Sequence, residues 1–166
     1  MGAASSIGID IDPQAVISAR QNIALNDMDS SKMLVYLVGS EADDSSCPGA
    51  ETNMGPEERT LLNLELKSAK GKFDIIIANI LLNPLSELAK DIVSYGKPGA
   101  NIGLSGILSE QVPPLNRCYE YLILYYGFMQ VQQIKEIYSQ YLEDISASEM
   151  EGWACLHGIR KENLTL

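Results

Sequence analysis

A chain of 166 residues, 46% hydrophobic and 20% charged, is sized for one domain or less and has enough apolar side chains for a packed core. Its formal charge of -10 disfavours direct contact with nucleic-acid phosphates or anionic membranes; it suits plain solubility or a basic, lysine-rich partner. Cys47, Cys118 and Cys155 are odd in number and widely spaced, which argues against a disulfide framework or a zinc site, and no apolar run is long enough to span a bilayer.

Ile7-Gly8-Ile9-Asp10-Ile11 predicts a short strand of β-branched residues. Asp12-Pro13 predicts a helix start, because aspartate caps a first turn and proline has no N–H to leave unpaired there. Val16, Ala19 and Ile23 share one face of that helix, and Asn26-Asp27 ends it. Met33 to Val38 is a continuous apolar run, expected to be a strand covered on both faces. Glu41 to Arg59 holds turn formers and solvated groups and reads as an insertion, with Leu61 to Leu66 open to either helix or strand.

Phe73 to Asn79 is the strongest strand. Pro84 is expected to open a helix with Leu85, Leu88, Ala89 and Ile92 on one stripe, closed by Gly96 and Pro98. Asn101 to Ser105 follows as a strand, then a helix from Pro113-Pro114 to Gly127. Phe128 to Ile134 and Trp153 to Ile159 are expected to form a terminal antiparallel pair. Alternation of strand and helix followed by such a pair means α/β with a mostly parallel sheet. Ligands of such sheets sit beyond the carboxyl ends of the strands.

Three residues at those ends can carry chemistry. Asp10 could accept hydrogen bonds from both hydroxyls of a nucleoside ribose, or simply terminate its strand. Ile11 could lie flat on an adenine ring. Asn79 could accept a hydrogen bond from a substrate amine and aim its lone pair, or, more simply on spacing alone, satisfy loop backbone. Ser105 to Gln111 could line a site mouth, although Ser109 and Glu110 also suit an ordinary helix start. His157, the one histidine, reads as a core or edge residue, and the tyrosines at 119, 121, 125 and 126 read as helix packing.

Gly8-Ile9-Asp10-Ile11-Asp12-Pro13-Gln14-Ala15-Val16, Asn79-Ile80-Leu81-Leu82-Asn83-Pro84-Leu85 and Leu104-Ser105-Gly106-Ile107-Leu108, in that order, resemble the methyltransferases that modify large-subunit ribosomal protein eleven. The resemblance covers most of the chain outside Glu41 to Lys72. It implies a class I, Rossmann-like methyltransferase sheet, mostly parallel with an antiparallel terminal pair. The chain would then be one partial domain over 1–166 with an insertion at about 41–72.

The resemblance also implies S-adenosylmethionine as cofactor and lysine amines of a basic ribosomal protein as substrate, with no direct nucleic-acid or membrane partner. Asp10 would bind the cofactor ribose, Ile11 would flank the adenine, and Asn79 would sit where methyl and amine meet. Catalysis would be in-line attack by a positioned neutral amine, without metal or covalent intermediate. The family's first strand and glycine-rich loop would precede Gly2, and without them the chain is expected to bind cofactor weakly; a noncatalytic interaction module is the alternative. An intracellular location is expected, cytoplasmic or, with a transit peptide, mitochondrial or plastid.

Overall fold

The computed structural model describes residues 2–38, 64–108 and 130–164. These fall into two units, Met1–Leu64 and Glu65–Leu166.

The first unit is a β-α-β segment: β1 (Ser6–Asp10), α1 (Pro13–Leu25) and β2 (Met33–Leu37). The expected capping is present. The Asp12 carboxylate accepts from the Gln14 N–H at 2.8 Å, Pro13 occupies the first turn, and Asn26 closes the helix by bonding back to Asn22. β1 and β2 pair in parallel, from Ser6 opposite Met33 to Asp10 opposite Leu37. Val16, Ile23 and Val35 form a small core, with Ala19, Met33 and Leu37 at its margin. The Arg20 guanidinium reaches across to the Val35 carbonyl at 2.8 Å and ties helix to strand. β2 departs from expectation: only Val35 is buried and Leu34 is 39% exposed, so the strand is covered on one face.

A short helix, α2 (64–68), lies at the start of the second unit; it makes Leu64 to Leu66 helical, and the rest of the segment left open between helix and strand lies outside the described residues. The remainder of the expected insertion through residue 63 lies outside the described residues, as do the expected 113–127 helix and the tyrosines at 119–126. β3 (Phe73–Asn79) follows, then α3 (Leu82–Glu87), α4 (Ala89–Ser94) and β4 (Gly96–Leu108). The single helix expected from Pro84 is two short ones. α3 starts two residues before the proline, and the backbone turns out of helical geometry at Leu88 (φ -94, ψ 8). Leu88 is 46% exposed as a result, and the buried stripe is Leu85, Ala89 and Val93.

Residues 130–139 are helical (α5), which corrects the strand expected over Phe128 to Ile134 wherever that segment is described, from residue 130 on. Val131, Ile134 and Tyr138 recur at helical spacing and are buried together. The true partner of β6 (Trp153–Arg160) is β5 (Leu142–Met150), joined by a tight turn with positive φ at Glu151 and Gly152. The sheet order is β3-β4-β6-β5, with β3 and β4 parallel and the other neighbours antiparallel. One face of this sheet carries Ile102, Leu104, Ile107, Ala154 and Leu156 onto Leu85, Val93, Ile134 and Tyr138. On β6 the alternation is complete: Ala154, Leu156, Gly158 and Arg160 point inward and their neighbours outward. The buried Arg160 guanidinium donates to the Gly96 carbonyl, pinning β6 to the start of β4.

No helix among the described residues is long and apolar enough to cross a membrane.

Candidate active site

Asp10 is the last residue of β1 and is exposed, as strand-end geometry requires. One of its carboxylate oxygens, Oδ1, accepts from the Asp12 N–H at 2.9 Å. Asp12 in turn spends its own Oδ1 on Gln14. The two aspartates therefore divide the work of the turn. Asp12 caps α1, and Asp10 is oriented by its bond from the Asp12 N–H, with its second oxygen taking no partner among the described residues. The Asp10 carbonyl accepts from the Val38 N–H at 2.8 Å, which anchors the strand end itself. Ile11 follows with 76% of its surface exposed, outside the small core that the described residues of this unit form.

Asn79 closes β3 and is exposed. Its register partner on β4 is Ser105. The Ser105 hydroxyl donates to Asn79 Oδ1 at 2.8 Å, so the carboxamide is held at the carboxyl end of the β3–β4 pair. The backbone explains the contact. Between Leu104 and Ile107 the β4–β6 register shifts: three steps along β4 match two on β6, from Leu156 to Ala154. That extra residue is a bulge, the usual device for re-aiming a side chain near a strand end. Gly106 within it has φ +84. Ser105 belonged to a segment expected to border a site, but sequence reasoning did not connect it to Asn79. The available signal was that both residues close neighbouring parallel strands.

Asp10 and Ile11 are thus together in the first unit, and Asn79 lies in the second beside Ser105. Ser109 to Gln111 are outside the described residues. His157 is exposed on the interior strand β6, its Nε2 3.0 Å from Asn101 Oδ1, which replaces the expected core or edge setting. No cluster of metal-ligating side chains occurs among the described residues. An open cavity of about 380 Å³ in the first unit runs along Met33 to Tyr36 and Arg20, and includes neither Asp10 nor Ile11.

The parallel β-α-β segment of the first unit and the mixed four-stranded sheet of the second resemble the class I, Rossmann-like methyltransferase fold. Solved structures share it. The ribosomal protein L11 methylase of Lactobacillus delbrueckii subsp. bulgaricus superposes with a TM-score of 0.60 at 21% identity, over 96% of this chain and 60% of that one. An SAH-bound methyltransferase from Podospora anserina does so with a TM-score of 0.55 at 13% identity, over 95% and 61%.

The sequence narrows the class. The profile described as ribosomal protein L11 methyltransferase (PrmA) matches residues 1–161, and the chain belongs to that family. It is similar to the ribosomal protein L11 methyltransferases of Burkholderia vietnamiensis and Burkholderia lata, each 34% identical over 162 residues. Those matches cover 98% of this chain, which spans 38% of the length of the curated relatives.

Proposed function

We propose that this chain is part of an S-adenosylmethionine-dependent methyltransferase that modifies lysine amines of a basic ribosomal protein. Its two units would belong to one partial methyltransferase domain with an insertion at about 41–72. The observation that carries the reading is the held carboxamide of Asn79 at the carboxyl end of β3, in a chain of this family.

The residues present fit the cofactor. Asp10 presents a carboxylate oxygen beyond the one tied to Asp12, the acceptor that ribose hydroxyls require, and Ile11 presents an exposed apolar side chain for the adenine face. When bound, the cofactor supplies a methyl group on a sulfonium sulfur. The chain's own task is orientation. Asn79 Oδ1 would accept one N–H of the neutral amine and so orient its nitrogen lone pair. The methyl group would come from the bound cofactor, and the proton shed by the amine would leave to solvent. Holding two reactants in line converts a bimolecular encounter into an effectively unimolecular one, a large share of the barrier in such transfers.

The test is nuclear magnetic resonance of the isotopically labelled chain during titration with S-adenosylhomocysteine, a method that reads weak as well as tight binding. Amide shifts centred on Asp10 and Ile11, lost in Asp10→Ala, are the expected result. No localised shift at millimolar ligand would overturn the cofactor assignment.

A further inference from the structure

Asn79 is useful for aiming an amine only if its carboxamide is held one way round. An asparagine side chain turns readily about its last bond, and exchanging oxygen for NH2 replaces an acceptor by a donor. An amine approaching the wrong end would meet an N–H instead of a lone pair.

We infer that Ser105 is the positioning residue that holds the Asn79 carboxamide through its oxygen, an inference that rests on the reading of Asn79 above. Three observations carry it. The Ser105 hydroxyl lies 2.8 Å from Asn79 Oδ1 and donates to it, occupying one of two lone pairs and leaving the second for a ligand N–H. The two residues are register partners in a parallel ladder, so the contact is set by strand pairing rather than by a flexible loop. The bulge between Leu104 and Ile107 takes Ser105 out of the regular β4–β6 pairing at that position and leaves its side chain to serve Asn79. A hydroxyl that donates to the amide oxygen also polarises the amide, since linked hydrogen bonds strengthen one another.

The chemistry sets the expected substitutions. Alanine removes the donor and frees the carboxamide to rotate. Threonine keeps the hydroxyl, and its β-branch suits a strand. Neither change touches the buried face, because Ser105 projects on the side of the sheet opposite Leu104 and Ile107.

The experiment needs no ligand and no activity. In the full 166-residue chain, selectively labelled at asparagine, the Asn79 side-chain carbonyl carbon and its NH2 group are followed by nuclear magnetic resonance. Ser105→Ala is expected to move the carbonyl carbon upfield, as loss of a donated hydrogen bond does, and to accelerate side-chain NH2 exchange several-fold. Ser105→Thr is expected to restore both. The backbone amides of β4 and β6 beyond the immediate neighbours should keep their positions in either variant. An Asn79 signal that Ser105→Ala leaves unmoved overturns the inference. So does one that threonine fails to restore, or one that moves together with the whole sheet, which would mark a structural role only. Failure here leaves the S-adenosylhomocysteine titration unaffected, and failure of that titration leaves this result unaffected, so the two readings are judged separately.

Discussion

Gly106 lies against the backbone of Ile80: a Cβ placed on it would sit 2.9 Å from the Ile80 carbonyl carbon and closer still to its oxygen. The bulge that follows Ser105 therefore rests on the residue that follows Asn79, and each strand end braces the other. Gly106 also has φ +84, a conformation side chains disfavour.

Gly106→Ala is accordingly expected to destabilise the chain by at least about 1–3 kcal/mol from backbone strain alone. The contact with Ile80 adds to that, because backbone cannot move aside as a flexible side chain can. The midpoint of urea unfolding measures the loss. A shift as small as that of an exposed-surface alanine substitution would show that the strand ends separate freely.

Tyr138 is buried in α5 and its hydroxyl donates to the Leu85 carbonyl at 2.9 Å, fastening α5 to α3. Burial pushes its phenol well above the ordinary tyrosine range. A group whose folded value is raised contributes stability that is complete below its unfolded value, about pH 10, and is lost as pH climbs towards the folded value. Tyr138→Phe should therefore cost about 1–2 kcal/mol at neutral pH. It should also flatten the alkaline limb, with the gap between the two proteins narrowing above pH 10. Denaturation at a series of pH values checks both; a gap that widens with pH would contradict the burial argument.

The aspartates at the end of β1 should separate function from stability. Asp12→Ala removes the α1 cap and is expected to cost about 1 kcal/mol. Asp10→Ala loses only one exposed bond to the Asp12 N–H, so its stability should stay within about 0.5 kcal/mol. It should nevertheless abolish the S-adenosylhomocysteine shifts at Ile11. Parallel thermal melts and titrations of the two variants decide this. Equal loss of binding in both would mean that the cap acts only by holding the turn.

What the sequence disclosed follows the strength of each local signal. Asp12-Pro13 announced α1 because capping and a proline without N–H act within one turn. Phe73 to Asn79 announced β3 through its β-branched run. β5 escaped notice because Glu143, Ser146, Ser148 and Glu149 face solvent and a bulge at the positive-φ Asp144 breaks the period. The strand expected over Phe128 to Ile134 weighted local apolar content over the i, i+3, i+7 recurrence of Val131, Ile134 and Tyr138, which marks a helix. Asp10, Ile11 and Asn79 were legible as strand-end residues. The Ser105 contact was not, since it depends on the parallel register of β3 and β4 and on a bulge created by β6, and strands that pair across the chain leave no local trace.

The two units should also differ in how readily they open. Among its described residues the first holds a two-stranded ladder and three buried core side chains, Val16, Ile23 and Val35. Two strands with so small a core are marginal on their own in water. The second buries Leu85, Val93, Ile102, Leu104, Ile107, Ile134, Tyr138 and Leu156 almost completely. Burying one such side chain contributes roughly 1.5–3 kcal/mol. Local opening free energies track this density of apolar contacts. Native-state hydrogen exchange should therefore show the amides of β1, α1 and β2 opening well below the global unfolding free energy, while those of Ile102, Leu104 and Leu156 exchange only through it. Leu156→Ala should lower the second set by about 2–5 kcal/mol and leave the first set nearly unchanged. Equal protection across both sets, falling together in Leu156→Ala, would instead show that β1, α1 and β2 unfold as one cooperative body with the four-stranded sheet.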